Sequence, residues 1–234
     1  MTKLTKLPPH RTRIKMCGFT REQDVDAAVA AGADAIGFVL YEKSPRYVSA
    51  QRAATLAQRL SPFVTPVLLF VNENTTKIIA TCAMLAGVTA QFHGEESVQD
   101  CLAACTPGQH PWLRAARIPR LWDGHNFDLP KFIQDFSQAQ GILLDAHSDA
   151  YGGSGQTFDW SLIPHNTNAH LVLSGGLNAT NVTDAIVRVR SCCKTLSVDV
   201  SSGIEVPGCQ GLKDAEKMAQ FVAAVRTADQ QHPV

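Results

Sequence analysis

Two residues able to move protons each close a short strand-like run. Cys17 follows the β-rich stretch 12–16, and Asp145 ends the run Gly141-Ile142-Leu143-Leu144. A thiol and a carboxyl held across one pocket could serve as a base and an acid. Each also has a plain structural reading. Free cysteines are commonly buried as small apolar groups, and a carboxylate at a strand end can simply cap a loop.

Glycine clusters occupy comparable places further on. Gly152-Gly153-Ser154-Gly155 follows the Asp145 run, Gly175-Gly176 closes the segment 171–174, and Ser201-Ser202-Gly203 follows the segment 196–200. Glycine lets backbone N–H groups approach an anion closely, and a nearby helix N-terminus adds favourable partial charge. Such loops on successive elements point to one bound phosphate, with tight turns as the simpler alternative. Arg46, in Lys43-Ser44-Pro45-Arg46-Tyr47, offers a planar fork for a carboxylate, unless it is a solvated loop charge. His93 and Asp199 complete the polar groups found where apolar runs stop.

These groups meet only if the segments carrying them end on one face. The chain alternates strand and helix signals almost throughout. Strand-like runs lie at 12–16, 35–40, 66–71, 88–93, 112–118, 141–145, 171–174 and 196–200. Helical spacing follows seven of them, with Gly32 and Gly87 placed to end helices in the left-handed turn and Ser49 placed to begin one. Dividing 234 residues among eight units gives about 29 each, the scale of a (β/α)8 barrel. In that fold the C-terminal strand ends form one mouth, and the loops after the seventh and eighth strands often hold phosphate. An open doubly wound sheet would call for G-x-G-x-x-G after the first strand, and none is present. The expectation is one α/β domain, a single TIM barrel of ribulose-phosphate-binding type over 12–234, preceded by a flexible arm at 1–11.

Composition narrows the function classes. Lys and Arg total 21 and Asp and Glu total 21, a balance that argues against nucleic-acid binding driven by bulk charge. The longest apolar runs are strand-sized, so no membrane span is expected, and the polar, basic N-terminus lacks the apolar core of a secretory signal. A cytoplasmic location is the default. The seven cysteines have irregular spacing, which predicts free thiols and neither a disulfide framework nor a metal site.

Seven segments, in order, resemble the phosphoribosylanthranilate isomerase family. They are Ile14-Lys15-Met16-Cys17-Gly18, Ala33-Asp34-Ala35-Ile36-Gly37-Phe38-Val39, Lys43-Ser44-Pro45-Arg46-Tyr47-Val48, Gln91-Phe92-His93-Gly94-Glu95-Glu96, Gly152-Gly153-Ser154-Gly155-Gln156-Thr157-Phe158-Asp159-Trp160, Ser174-Gly175-Gly176-Leu177-Asn178, and Val198-Asp199-Val200-Ser201-Ser202-Gly203-Ile204-Glu205. Three places depart from the family pattern: Gln156 replaces a basic residue, Phe92 a leucine, and the stretch 207–214 is longer.

The resemblance implies an Amadori rearrangement of N-(5-phosphoribosyl)anthranilate to 1-(2-carboxyphenylamino)-1-deoxy-D-ribulose 5-phosphate, a step of tryptophan biosynthesis. It implies Asp145 as general acid and Cys17 as general base. Arg46, His93 and Asp199 are then expected to contact or orient substrate. Gly153, Gly155, Gly175, Gly176, Ser201, Ser202 and Gly203 are expected to hold its phosphate. No cofactor is expected, because the protonated imine is itself the electron sink. The expected partner is a small phosphorylated molecule, with the chain a monomer or homodimer. A free thiol has a pKa of about 8.5, so Cys17 must be deprotonated in the site to act as base. Asp145 must hold a proton to act as acid, which burial favours. Rival readings are another ribulose-phosphate barrel, such as indole-glycerol-phosphate synthase or a pentose-phosphate epimerase, and a non-catalytic phosphometabolite-binding barrel. The synthase would want a lysine and a glutamate at strand ends, and the epimerase a cluster of metal-binding histidines and acids.

Overall fold

Each strand of the chain pairs in parallel with the next in sequence, and the eighth pairs with the first. The structure, a computed structural model, describes residues 11–119, 126–146, 157–165 and 167–231. The strands are β1 Arg13–Cys17, β2 Ala35–Val39, β3 Thr65–Phe70, β4 Thr89–Phe92, β5 Trp112–Ile118, β6 Gly141–Ala146, β7 Thr167–Leu173 and β8 Cys193–Val200. The helices are α1 Glu22–Ala31, α2 Ala50–Ala57, α3 Thr75–Cys82, α4 Val98–Cys105, α5 Leu129–Asp135, α6 Val182–Val189 and α7 Ala215–Gln231. The expected closed (β/α)8 barrel is therefore the fold.

Strand periodicity divides each strand between two environments. Met16, Phe38, Leu68, Phe92, Leu144 and Val198 face outward into the main core under the helices. Between the strands, Ala115, Leu143 and Val172 fill one layer inside the barrel, and Cys17, Val39, Leu69 and Val71 form another toward the mouth. Burial on both faces explains why the strands read as continuous apolar runs.

The helix ends follow local chemistry. Ser49 accepts a hydrogen bond from the Arg52 N–H at 3.1 Å, and Ser97 and Asp100 close a reciprocal capping box. Gly32 ends α1 at φ 101°. A cap of this kind contributes about 1 kcal/mol. Two strands begin ahead of their apolar runs, β7 at Thr167 and β8 at Cys193. β7 begins at Thr167, ahead of 171, because its first half is polar, partly exposed and irregular in register, so it carries no apolar signal. α6 begins only at Val182. Asn178 folds the chain into a turn, its side chain accepting from the Thr180 N–H at 2.8 Å while its own N–H donates to Asn181 at 2.9 Å. α5 begins at Leu129, where Asp128 caps it and Pro130 is tolerated in a first turn.

Of the arm at 1–11, Arg11 alone falls within the described residues, where it pairs with Asp34. Gly153, Gly155 and Gln156 lie outside the described residues. No helix among the described residues is long and apolar enough to cross a membrane.

Candidate active site

Cys17 is the last residue of β1 and, by the alternation of the strand, points into the barrel. Its register partner is Gly37 on β2. A Cβ at Gly37 would sit 2.6 Å from the Cys17 sulfur, so the glycine makes the space that the thiol occupies. Asp145 stands on β6, across the closed sheet, with β7, β8 and β1 on one side and β5 to β2 on the other. Both residues line a cavity of about 390 Å³ at the C-terminal strand ends, together with Arg46, His93, Asp199, Gly175, Gly176, Ser201 and Ser202. The strand ends thus bring the proposed acid, base and orienting groups to one place. Gly203 does not line the cavity. It sits behind the wall, packed against the Leu177 carbonyl.

Three buried polar networks support the cavity. In the first, the Lys15 ammonium donates to Asp199 Oδ1 at 2.7 Å, and the Ser174 hydroxyl donates to Asp199 Oδ2 at 3.3 Å. Lys15 precedes Cys17 by two residues, so both face the barrel interior. Burial works against the Lys15 charge, but the Asp199 carboxylate and Cys17 outweigh it and raise its pKa above the ordinary value. Burial pushes the Cys17 thiol up, Asp199 adds to that, and Lys15 and Lys213 pull it back without cancelling the rise.

In the second network, Gln91 Nε2 lies 3.0 Å from His93 Nδ1, and His93 Nε2 lies 3.0 Å from Asp145 Oδ2. In the third, Arg46 grips Glu205 with both Nε and Nη2, at 2.7 and 2.8 Å, and Lys213 reaches the same carboxylate at 3.0 Å. The guanidinium edge expected to meet a ligand carboxylate is thus engaged within the protein, which leaves Nη1 for a ligand. The Ser201 hydroxyl likewise donates to the Cys17 carbonyl at 3.0 Å, tying the end of β8 to the end of β1.

Gly175 is shaped by its neighbours. Its φ is +80°, and a Cβ there would fall 2.6 Å from the Ala146 nitrogen and 3.1 Å from Asp145 Oδ1. Only glycine lets the loop after β7 pass so close to the carboxyl.

Sequence reasoning assigned no role to Lys15, Gln91, Glu205 or Lys213. The signal was present for two of them. Lys15–Cys17 and Gln91–His93 are both spaced by two residues, the period that puts side chains on one face of a strand. The Glu205 pairing with Arg46 spans 159 positions and leaves no local trace.

Comparison with known proteins agrees with the barrel fold. The profile of the family described as N-(5'phosphoribosyl)anthranilate (PRA) isomerase matches residues 14–224. N-(5'-phosphoribosyl)anthranilate isomerase from Dechloromonas aromatica is 54% identical over 221 residues, covering 94% of this chain and 99% of the relative. The enzyme of the same name from Methylibium petroleiphilum is 53% identical over 219 residues, covering 94% and 96%. Among solved structures, phosphoribosyl anthranilate isomerase from Thermotoga maritima superposes with a TM-score of 0.77 at 35% identity, covering 92% of this chain and 99% of its own. The chain belongs to the N-(5'-phosphoribosyl)anthranilate isomerase family.

Proposed function

We propose that this chain isomerises N-(5-phosphoribosyl)anthranilate to 1-(2-carboxyphenylamino)-1-deoxy-D-ribulose 5-phosphate in tryptophan biosynthesis. The observation that carries this reading is the shared cavity, where a thiol and a carboxyl stand with glycine- and serine-bearing loops beside them. A related phosphoribosyl anthranilate isomerase, 33% identical with a TM-score of 0.72, has been solved with reduced 1-(o-carboxyphenylamino)-1-deoxyribulose 5-phosphate bound. A ligand of that class suits a cavity with an anion cradle at one side.

In the proposed chemistry Asp145 gives its proton to the ribose ring oxygen as the C1–O bond breaks. The nitrogen lone pair forms the C1=N bond, leaving a positive iminium. Cys17 takes the proton from C2, and the C–H electron pair forms the C1–C2 double bond as the iminium is neutralised. The enolamine then gains a proton at C1 and loses the C2 hydroxyl proton, which leaves the ketone. One proton has passed from Asp145 to Cys17, and exchange through water restores both. The iminium is the positive charge that offsets the burial of Cys17 and favours its thiolate at the moment of need.

Gly175, Gly176, Ser201 and Ser202 are proposed to cradle the phosphate, with Gly203 shaping the loop from behind and Gly153 and Gly155 contributing from the loop after β6. Arg46, His93 and Asp199 orient the substrate. In this reading residues 12–234 form the barrel, 1–11 are an arm, and the location is cytoplasmic. Generated monomers of a dimeric phosphoribosylanthranilate isomerase from Thermotoga maritima have been solved, and this chain is proposed to work as a monomer or homodimer.

The test is a fluorescence assay that follows loss of phosphoribosylanthranilate with purified protein. Turnover proportional to enzyme is expected. Binding without turnover would instead favour a phosphometabolite-binding barrel.

A further inference from the structure

Gln91 is fully buried, and the mechanism gives it no task. Its amide nitrogen donates to His93 Nδ1, while its Oε1 is buried with no hydrogen-bond partner among the described residues. A buried acceptor without a partner destabilises the fold, and an apolar side chain of similar length would avoid that cost. The amide therefore serves its contact with His93 at the expense of stability.

That contact decides the tautomer of the imidazole. A neutral imidazole carries one proton. With Nδ1 accepting from Gln91, the proton sits on Nε2 and is donated to Asp145 Oδ2, 3.0 Å away. With the proton on Nδ1 instead, Nε2 would be an acceptor. It would then draw the Asp145 proton toward the histidine and away from the cavity. Asp145 Oδ1 lies on the other side of the carboxyl, against Gly175, itself a residue of the cavity wall.

We propose that Gln91 is a positioning residue that locks His93 in the Nε2–H tautomer, so that Asp145 accepts at Oδ2 and keeps its transferable proton on Oδ1. As that proton leaves, the His93 bond becomes charge-assisted and strengthens, which favours the transition state over the ground state. The proposal rests on Asp145 being the acid.

The experiment joins ¹⁵N NMR of the imidazoles with steady-state kinetics. In wild type, His93 should show a protonated Nε2 and an unprotonated Nδ1. Gln91→Glu, whose carboxylate accepts from Nδ1–H, should move the proton to Nδ1. It should lower kcat roughly tenfold or more, the order of one hydrogen bond to a charged group, with KM within about twofold. Gln91→Met should lower kcat in the same direction while its Tm stays level or rises, and it carries the test if the Glu variant does not fold. A wild-type His93 protonated at Nδ1 would overturn the proposal, as would a switched tautomer with unchanged kcat. Failure of the acid assignment shows separately. Asp145→Asn at full rate would remove that role and leave the His93 tautomer as measured.

Discussion

Lys15 and Asp199 are register partners on β1 and β8 and form a buried ion pair of 2.7 Å just below Cys17. The two charges act on the thiol in opposite senses, Lys15 lowering its pKa and Asp199 raising it. Cys17 needs to be a thiolate to act as base, so the rise of kcat/KM with pH tracks its ionisation in the free enzyme. Lys15→Met should move that rise to higher pH, and Asp199→Asn should move it to lower pH. Either change leaves a buried charge unpaired and should cost about 3–5 kcal/mol of stability by urea unfolding. Two shifts of the same sign would show that this pair does not set the state of the thiol.

Removal of either group proposed to transfer a proton should leave a folded protein with little activity. Cys17→Ala deletes only a sulfur, and Asp145→Asn keeps the acceptor for His93 while removing the transferable proton. Each should lower kcat at least about 100-fold, the low end of what a positioned acid or base contributes. Circular dichroism and Tm near wild type establish that the fold is intact. Wild-type turnover by either variant would remove that residue from its role.

The legibility of this site in the sequence follows from the range of the interactions. Strand ends are local, so Cys17, His93, Asp145 and Asp199 stood out as reactive or polar groups closing strand-like runs, and the barrel brought them to one cavity. The start of β7 was hidden because Thr167–His170 is polar and half-exposed. The partners that tune the site were harder to see, since pairing is set by closure of the barrel. Lys15 meets Asp199 across 184 positions, and Arg46 meets Glu205 across 159. Arg46 looked like a free fork for a ligand because nothing near it in sequence announces the carboxylate that holds it.

Gly175→Ala tests how tightly the loop after β7 is built against Asp145. The new methyl would lie 2.6 Å from the Ala146 backbone nitrogen at a φ of +80°, so the loop must move away from Asp145. Positive φ at a non-glycine residue costs about 1–2 kcal/mol. The variant should therefore be modestly less stable, and its KM should rise at least several-fold if this loop holds the phosphate as proposed. Inorganic phosphate, as a competitive inhibitor, should weaken in parallel. An unchanged inhibition constant alongside a raised KM would place phosphate elsewhere.

Glu205 should make the fold acid-sensitive. Burial pushes its carboxyl up, but hydrogen bonds from Arg46 and Lys213 and their charges outweigh burial and hold it below the ordinary 4.5. A carboxylate whose folded pKa is depressed binds protons less well folded than unfolded, so protonation favours unfolding. The stability it contributes is present above pH of about 4.5 and is lost as pH falls through its lower folded value. Glu205→Gln removes that proton linkage and leaves Arg46 and Lys213 as buried cations without their counter-charge. At pH 7 it should lose about 3–5 kcal/mol, and its stability should fall less steeply below pH 4.5 than that of wild type. Urea unfolding across the acid range measures both, and parallel curves for the two proteins would mean that the pair with Arg46 does not govern acid stability.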